Sequence, residues 1–227
     1  MTARISRETM AEQAYATLKA EIVGGTLQSG QRLLPHALSA TLHISPTPVK
    51  EALLRLERDG LVVTESRRGV VVRRFGPNEI TDLYGMRALL EQHAVRTGFA
   101  GGRIDPGLIA GLNAEQAALL TALGKRTQAG LNEALQHDRN LHALLVALSG
   151  NALMMNAHAQ AMMQTHTVRV YTPASYTPRL LRAEHGAIIA ALRSANEAAS
   201  LAALAKHLDR SRADLLARMP LTPEAKS

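Results

Sequence analysis

Apolar positions in the first third of the chain recur at helical spacing and then switch to strand-like runs. Ala14, Leu18 and Ile22 fall at i, i+4 and i+8 with polar residues between them, and Gly24-Gly25 follows. This predicts an amphipathic helix closed by a glycine cap. Gly30 turns the chain, and a short helix is predicted over about 35–42 with Leu38 and Leu42 inward. His43-Ile44-Ser45 reads as a connector, with Ser45 or Thr47 able to cap the next helix. Pro46 and Pro48 fit only in that helix's first turn, where their missing N–H groups would have no partner anyway. From Val49 the apolar residues run 49, 53 and 56 to a stop at Gly60. The β-branched runs Leu61–Glu65 and Val70–Arg74 then flank Ser66-Arg67-Arg68-Gly69 and predict a hairpin. Helix, helix, short turn, helix and basic-tipped hairpin is the order of a winged helix-turn-helix. Its third helix fits a DNA major groove, and its hairpin carries Arg67 and Arg68 to flanking phosphates or the minor groove.

After Phe75-Gly76-Pro77 the pattern is helical only. Helices are predicted near 78–99, 106–123, 127–148, 151–171, 177–194 and 197–218, broken at Gly101-Gly102, Gly124, Gly150, Pro173 and Ser194–Asn196. The expected fold is mainly α. A winged helix-turn-helix over residues 1–75 precedes an all-α antiparallel bundle over 76–227. Composition narrows the chemistry. The 227 residues hold no cysteine, which excludes disulfides, thiolate metal sites and thiol nucleophiles. Six aromatics in all argue against stacking platforms for single strands. Residues 1–75 carry 11 Lys/Arg against 7 Asp/Glu, and the longer remainder carries 15 against 12, so the basic excess is denser where the winged fold is predicted. Arg4, Arg7, Glu8 and Glu12 are incompatible with a signal peptide, and apolar stretches such as Ala143–Leu148 fall far short of the ~18 residues of a membrane span. A soluble, cytoplasmic protein with no membrane partner is expected.

The candidate chemistry of the second half lies where charged groups interrupt apolar stripes. Leu131, Leu135, Asp138, His142 and Leu145 fall within about 80° of one another on a helical wheel. A carboxylate and an imidazole therefore sit on the face that should meet the core. An unpartnered buried carboxylate costs several kcal/mol, and a metal ion is one economical partner. His185 lies with Leu181, Ile188 and Leu192, whereas His207 sits at the edge of the stripe Leu201, Leu204, Leu208. Any one of these histidines alone could be a hydrogen-bonded core residue. His166 shares a face with Met155, Ala159 and Met162 and could line the same cavity. The Met-rich stretch Met154, Met155, Met162 and Met163 reads as adaptable core packing.

The run Pro35…Leu38-Ser39…Leu42-His43-Ile44-Ser45-Pro46-Thr47-Pro48-Val49-Lys50-Glu51-Ala52-Leu53, followed by Leu56-Glu57-Arg58-Asp59-Gly60-Leu61-Val62 and Gly69-Val70-Val71-Val72, resembles the DNA-binding domain of GntR-type bacterial regulators. Met86-Arg87-Ala88-Leu89-Leu90-Glu91, Asp138-Arg139-Asn140-Leu141-His142, Ser149-Gly150-Asn151 and Glu184-His185 resemble the helical FCD effector domain of the FadR-type subfamily. The resemblance implies a transcriptional repressor that binds operator DNA as a homodimer through Ser45, Thr47, Lys50, Arg67, Arg68 and Gly69. It also implies a divalent metal on Asp138, His142, His185 and His207. Zinc leads for such His and carboxylate ligands, with nickel or manganese also suited. A small carboxylate effector would then meet Arg87 and His166, unless Arg87 is only a surface pair with Glu91. Three positions depart from the family. Pro46 and Lys50 stand where Arg is usual, and His36 replaces an acid. A guanine-reading fork is thereby lost at position 46, which implies a different operator. Two other readings compete. One is a metal-dependent hydrolase of the helical HD class built on His137-Asp138. The other is a DNA-binding protein whose metal is purely structural.

Overall fold

The computed structural model describes residues 8–172 and 177–219 and divides the chain into two compact units, Met1–Arg74 and Phe75–Ser227. Arg4 and Arg7 of the N-terminus, and the predicted helix break at Pro173, lie outside the described residues.

The first unit is built from α1 (Met10–Val23), α2 (Pro35–Leu42), α3 (Pro46–Arg58), β1 (Val62–Glu65) and β2 (Gly69–Val72). Helix α1 begins earlier than its apolar repeat because Thr9 and Glu12 form a capping box. The Thr9 amide donates to Glu12 Oε2 (2.8 Å) and the Glu12 amide to Thr9 Oγ1 (3.2 Å). Its inward face, Leu18 and Ile22, packs with Val49, Ala52, Leu53 and Leu56 of α3 and with Leu61, Val62, Val71 and Val72, all buried. Leu38 and Leu42, expected inward, are only half-buried, because α2 is short and has no fully covered face. The chain passes from α2 to α3 through His43 in the left-handed conformation (φ 55°). Ser45 is the N-cap residue of α3, but its side chain makes no capping hydrogen bond.

The hairpin is antiparallel, pairing Val62 with Val72 and Glu65 with Gly69. It is shorter than the apolar runs suggest. The Leu61 amide bonds back to the Leu56 carbonyl (2.9 Å), finishing the turn after α3, so the strand starts one residue later. The Gly30–Leu33 segment lies along β2, with the Gly30 amide on the Val72 carbonyl and the Leu33 amide on the Val70 carbonyl (2.8 Å each).

The second unit consists of α4 (Pro77–Ala100), α5 (Pro106–Gly124), α6 (Gln128–Ala147), α7 (Ala152–Val170), α8 (Pro178–Arg193) and α9 (Glu197–Ala217). Side chains of Asp105, Thr127, Asn151 and Asn196 cap α5, α6, α7 and α9. The core joins Ile80, Tyr84 and Val95 to Leu112, Leu141, Leu145, Ile188, Leu192, Leu204 and Leu208. The Met-rich stretch is not uniformly core. Met162 is buried, but Met155 is 41% exposed and neighbouring Leu153 80%, because no described residue covers that face of α7. Among the described residues no helix is long and apolar enough to cross a membrane.

Candidate metal centre and nucleic-acid interface

Helix α3 buries Val49, Ala52, Leu53 and Leu56 and so presents its opposite face outward. Ser45 at the helix start, and Thr47 and Lys50 within it, are exposed. Pro46 is the first residue of α3, where its fixed φ is compatible with the helix. Gly69 stands at φ 71° as the hairpin turns into β2, a conformation that side-chain-bearing residues rarely adopt. The two wing arginines are both exposed but not equivalent. Arg68 donates to Glu65 Oε2 (3.1 Å) and to the Gly30 carbonyl (3.3 Å), which ties it into the hairpin.

The second unit gathers its charged and imidazole groups inside the bundle. Asp138 and His142 of α6, His185 of α8 and His207 of α9 are all buried. One ring nitrogen from each histidine lies within 4.8 Å of the other two. His142 and His207 stack at 5.2 Å between centroids, and His185 meets them edge-on at 5.7 and 4.7 Å. Asp138 Oδ1 sits at the rim of this group, 3.5 Å from His185 Nε2 and 4.0 Å from His142 Nε2.

Carboxylates lock the outer ring nitrogens. His142 Nδ1 is 2.6 Å from Glu91 Oε2, and His207 Nδ1 is 2.9 Å from Glu184 Oε2. A carboxylate only accepts, so both Nδ1 atoms carry the proton. The two Nε2 atoms then face each other across the cluster at 3.3 Å. Neither ring nitrogen of His185 makes a hydrogen bond, although the ring is fully buried. A buried imidazole always has one N–H to satisfy, and leaving it unmade costs about 1–3 kcal/mol. Three inward nitrogens, a rim carboxylate and two outer carboxylates that orient the rings fit a divalent metal of zinc type.

The electrostatics agree with that donor set. Burial, then the neighbouring His207, pushes His185 well below the ordinary histidine range. Burial also lowers His207, against the pull of Glu184. Both are thus neutral at pH 7, with lone pairs available. Burial alone would raise Asp138, but His142, His185, Arg169 and Arg87 hold its carboxyl below the usual carboxylate range.

Arg87 is not a surface residue. It is 1% exposed, and its Nε donates to Glu91 Oε1 (2.9 Å), with Glu91 itself fully buried. Glu91 accepts from three groups at once: Arg87, His142 Nδ1 and His158 Nε2 (3.1 Å). Arg87 Nη2 makes no hydrogen bond, and the guanidinium lies over the Tyr84 ring at 5.0 Å. Arg169 donates to the Tyr84 hydroxyl. His166 is buried too. Its Nδ1 meets the Arg139 guanidinium, its Nε2 has no hydrogen-bond partner, and it stands outside the three-histidine cluster.

Glu91, Glu184, His158 and Arg169 are therefore site residues that sequence reasoning left without a role. A signal for Glu91 existed, since Ile80, Tyr84, Arg87, Glu91 and Ala94 share one helical face by the spacing that marked Asp138. None existed for Glu184, which reaches the site only through the α8–α9 packing. His137, by contrast, is half-exposed and bonds Glu115 of α5 (2.7 Å), so it shares no site with Asp138 and the hydrolase dyad does not form.

Comparison with known proteins agrees with both units. Residues 10–72 match the bacterial regulatory proteins of the gntR family, and residues 82–210 match the FCD domain. The HTH-type transcriptional regulator YdhC of Bacillus subtilis is 26% identical over 196 residues, 83% of each chain. The Nta operon transcriptional regulator of Aminobacter aminovorans is 36% identical over 125 residues, 54% of this chain and 55% of that protein. A solved GntR regulator from Rhodococcus sp. RHA1 has the same fold, with a TM-score of 0.80 over 92% of this chain and 99% of that one at 23% identity. The chain therefore belongs to the GntR family of bacterial transcriptional regulators, in the FadR-type subfamily that carries an FCD domain, and it is a regulator rather than an enzyme.

Proposed function

We propose that the protein is an operator-binding repressor, acting in the cytoplasm as a homodimer, that holds a divalent metal and responds to a small carboxylate. Residues 1–75 would read DNA and residues 76–227 would sense the acid. The observation that carries this reading is the three-histidine cluster, with outer nitrogens tied to Glu91 and Glu184 and inner nitrogens turned on one another. Asp138, His142, His185 and His207 would hold the ion, zinc first and nickel or manganese next. The ion would supply a Lewis-acidic point for one carboxylate oxygen. Arg87, with an N–H group to spare, would hold another, and His166 would line the pocket.

On DNA, Lys50 is the base-reading group. Ser45, Thr47, Arg67 and Arg68 hold phosphates, and Gly69 shapes the wing. Two copies on a two-fold axis double the contacts that one small domain can make. The acid can regulate only by binding one arrangement of the DNA-reading units better than another. A coupling of 1–3 kcal/mol, usual for such systems, changes operator affinity about 5–150-fold.

Metal analysis and operator titration on Asp138→Ala and His185→Ala test the proposal. Each variant should lose the metal and the response to the acid while keeping part of its basal DNA binding, because the first unit has its own core. Full metal content with an unchanged response would sink the site assignment.

A further inference from the structure

Helix α3 presents an outward arc that is only partly polar. Its exposed residues are Thr47, Lys50, Glu51, Leu54 and Arg58, opposite the buried set Val49, Ala52, Leu53 and Leu56. At about 100° per residue, Leu54 lies within about 30° of the line opposite that buried set, whereas Lys50 lies about 70° from it. Leu54 is 61% exposed, more than any other large apolar side chain among the first unit's described residues. Single exposed leucines are common on folded proteins, so exposure alone assigns this one no role. Its place on the helix that meets DNA does.

The charges around Leu54 decide what covers it. Lys50 and Arg58 stand four residues before and after it, so an exposed cation lies one helical turn away on either side, and Glu51 is the one exposed acid of the helix. A protein surface closing over Leu54 would bury both cations beside it, which is unfavourable unless acids meet them. Duplex DNA meets them with phosphate and sets base edges between its two backbones. Most atoms on those edges are hydrogen-bond donors or acceptors, which a leucine would strip of water without replacing it. The apolar exception is the C5-methyl group of thymine. Hydrogen-bonding readout from this arc is also thin, since Pro46 at the helix start has no polar side chain.

Resting on the reading of α3 as the helix that enters the major groove, we infer that Leu54 determines specificity by packing on the C5-methyl group of a thymine. Four residues of helix separate Leu54 from Lys50, about 6 Å along the axis. Base pairs are spaced about 3.4 Å apart, so this thymine lies within about two base pairs of the base that Lys50 meets. The contact distinguishes thymine from cytosine, whose C5 carries only hydrogen, and it does so without a hydrogen bond.

The test is a uracil scan of the duplex that the full-length protein selects from random sequences, at fixed salt. Uracil replaces each thymine in turn and removes its methyl group alone. At one thymine per half-site, the replacement should weaken wild-type binding about four-fold, which is about 0.8 kcal/mol and the worth of one buried methylene-sized group. Leu54→Ala, a change at an exposed position to a strong helix former, should bind the thymine and uracil duplexes alike. Leu54→Met, which keeps an apolar contact, should still tell them apart. If no thymine proves sensitive in wild type, or if Leu54→Ala stays as sensitive as wild type, the role of Leu54 is overturned. Loss of binding by Lys50→Ala in the same assay would then leave the reading of α3 standing. Lys50→Ala binding as tightly as wild type would overturn that reading and the inference with it.

Discussion

Replacing Glu91 by Gln should do more damage than any single change at the metal ligands. The carboxylate is fully buried and is the shared acceptor of Arg87, His142 and His158. Gln keeps the shape and removes the charge, so Arg87 is left as a buried cation without its partner. Breaking one side of a buried ion pair costs about 3–5 kcal/mol, and both partners are too deep for solvent screening to reduce it. A domain of this size loses about 2–4 °C of melting temperature per kcal/mol, so the helical unit should melt roughly 6–20 °C lower. The damage extends to metal binding, because Glu91 fixes the His142 ring through Nδ1. Loss of such an outer partner lowers metal affinity about 10–100-fold. Calorimetric melting with and without chelator separates the two effects. The double change Arg87→Met with Glu91→Leu supplies the control, since it removes both charges and should cost less than the two single changes summed. An E91Q protein that melts within ~1 kcal/mol of wild type and binds zinc as tightly would refute the claim that this carboxylate organises the site.

Three further outcomes are expected. Lys50→Ala should weaken specific operator binding by roughly 1–3 kcal/mol at fixed salt, and equal binding by both proteins would show that α3 does not read the bases through that side chain. Pro46→Arg places a guanidinium fork at the start of α3, so selection from random duplexes should return a different half-site; identical sites from both proteins would mean that position 46 faces away from the DNA. Stability of the chelated protein should fall with acid. His185 and His207 have folded-state pKa values below the ordinary 6.5, so the unfolded chain takes up their protons first and stability is lost as pH falls through the unfolded value. Asp138 and Glu91, lowered in the folded state, add a further loss as pH falls through the carboxylate range. The melting temperature of chelated protein should therefore be flat above pH 7 and drop from about 6.5 downward, and a flat profile from pH 7 to 5 would contradict the burial of these rings.

The parts of this molecule that were legible in sequence are those in which a residue breaks a pattern. Asp138, His142 and His185 showed themselves because a polar group in an apolar stripe at 3.6-residue spacing is conspicuous, and all three are buried together. The six bundle helices were legible because glycine, Asn and Ser-rich breaks coincide with their caps. Glu91 failed the same inspection for a chemical reason, and Arg87 was reached through the resemblance and not through periodicity. Opposite charges at i, i+4 are the usual mark of a solvated helix face, so the pair suggested its own explanation and hid the inward face it shares with Ile80 and Tyr84. The pairing of His142 with Glu91 spans 51 positions in sequence, and that of His207 with Glu184 spans 23; no local rule reaches either. The strand ends were misplaced for a related reason, since Gly30–Leu33 and the turn after α3 decide where the hairpin stops. What periodicity reveals is the side chain that must be accommodated; what accommodates it comes from another helix. For this protein the second half of that statement is the site, because Glu91 and Glu184 aim the imidazole rings that the stripe could only expose.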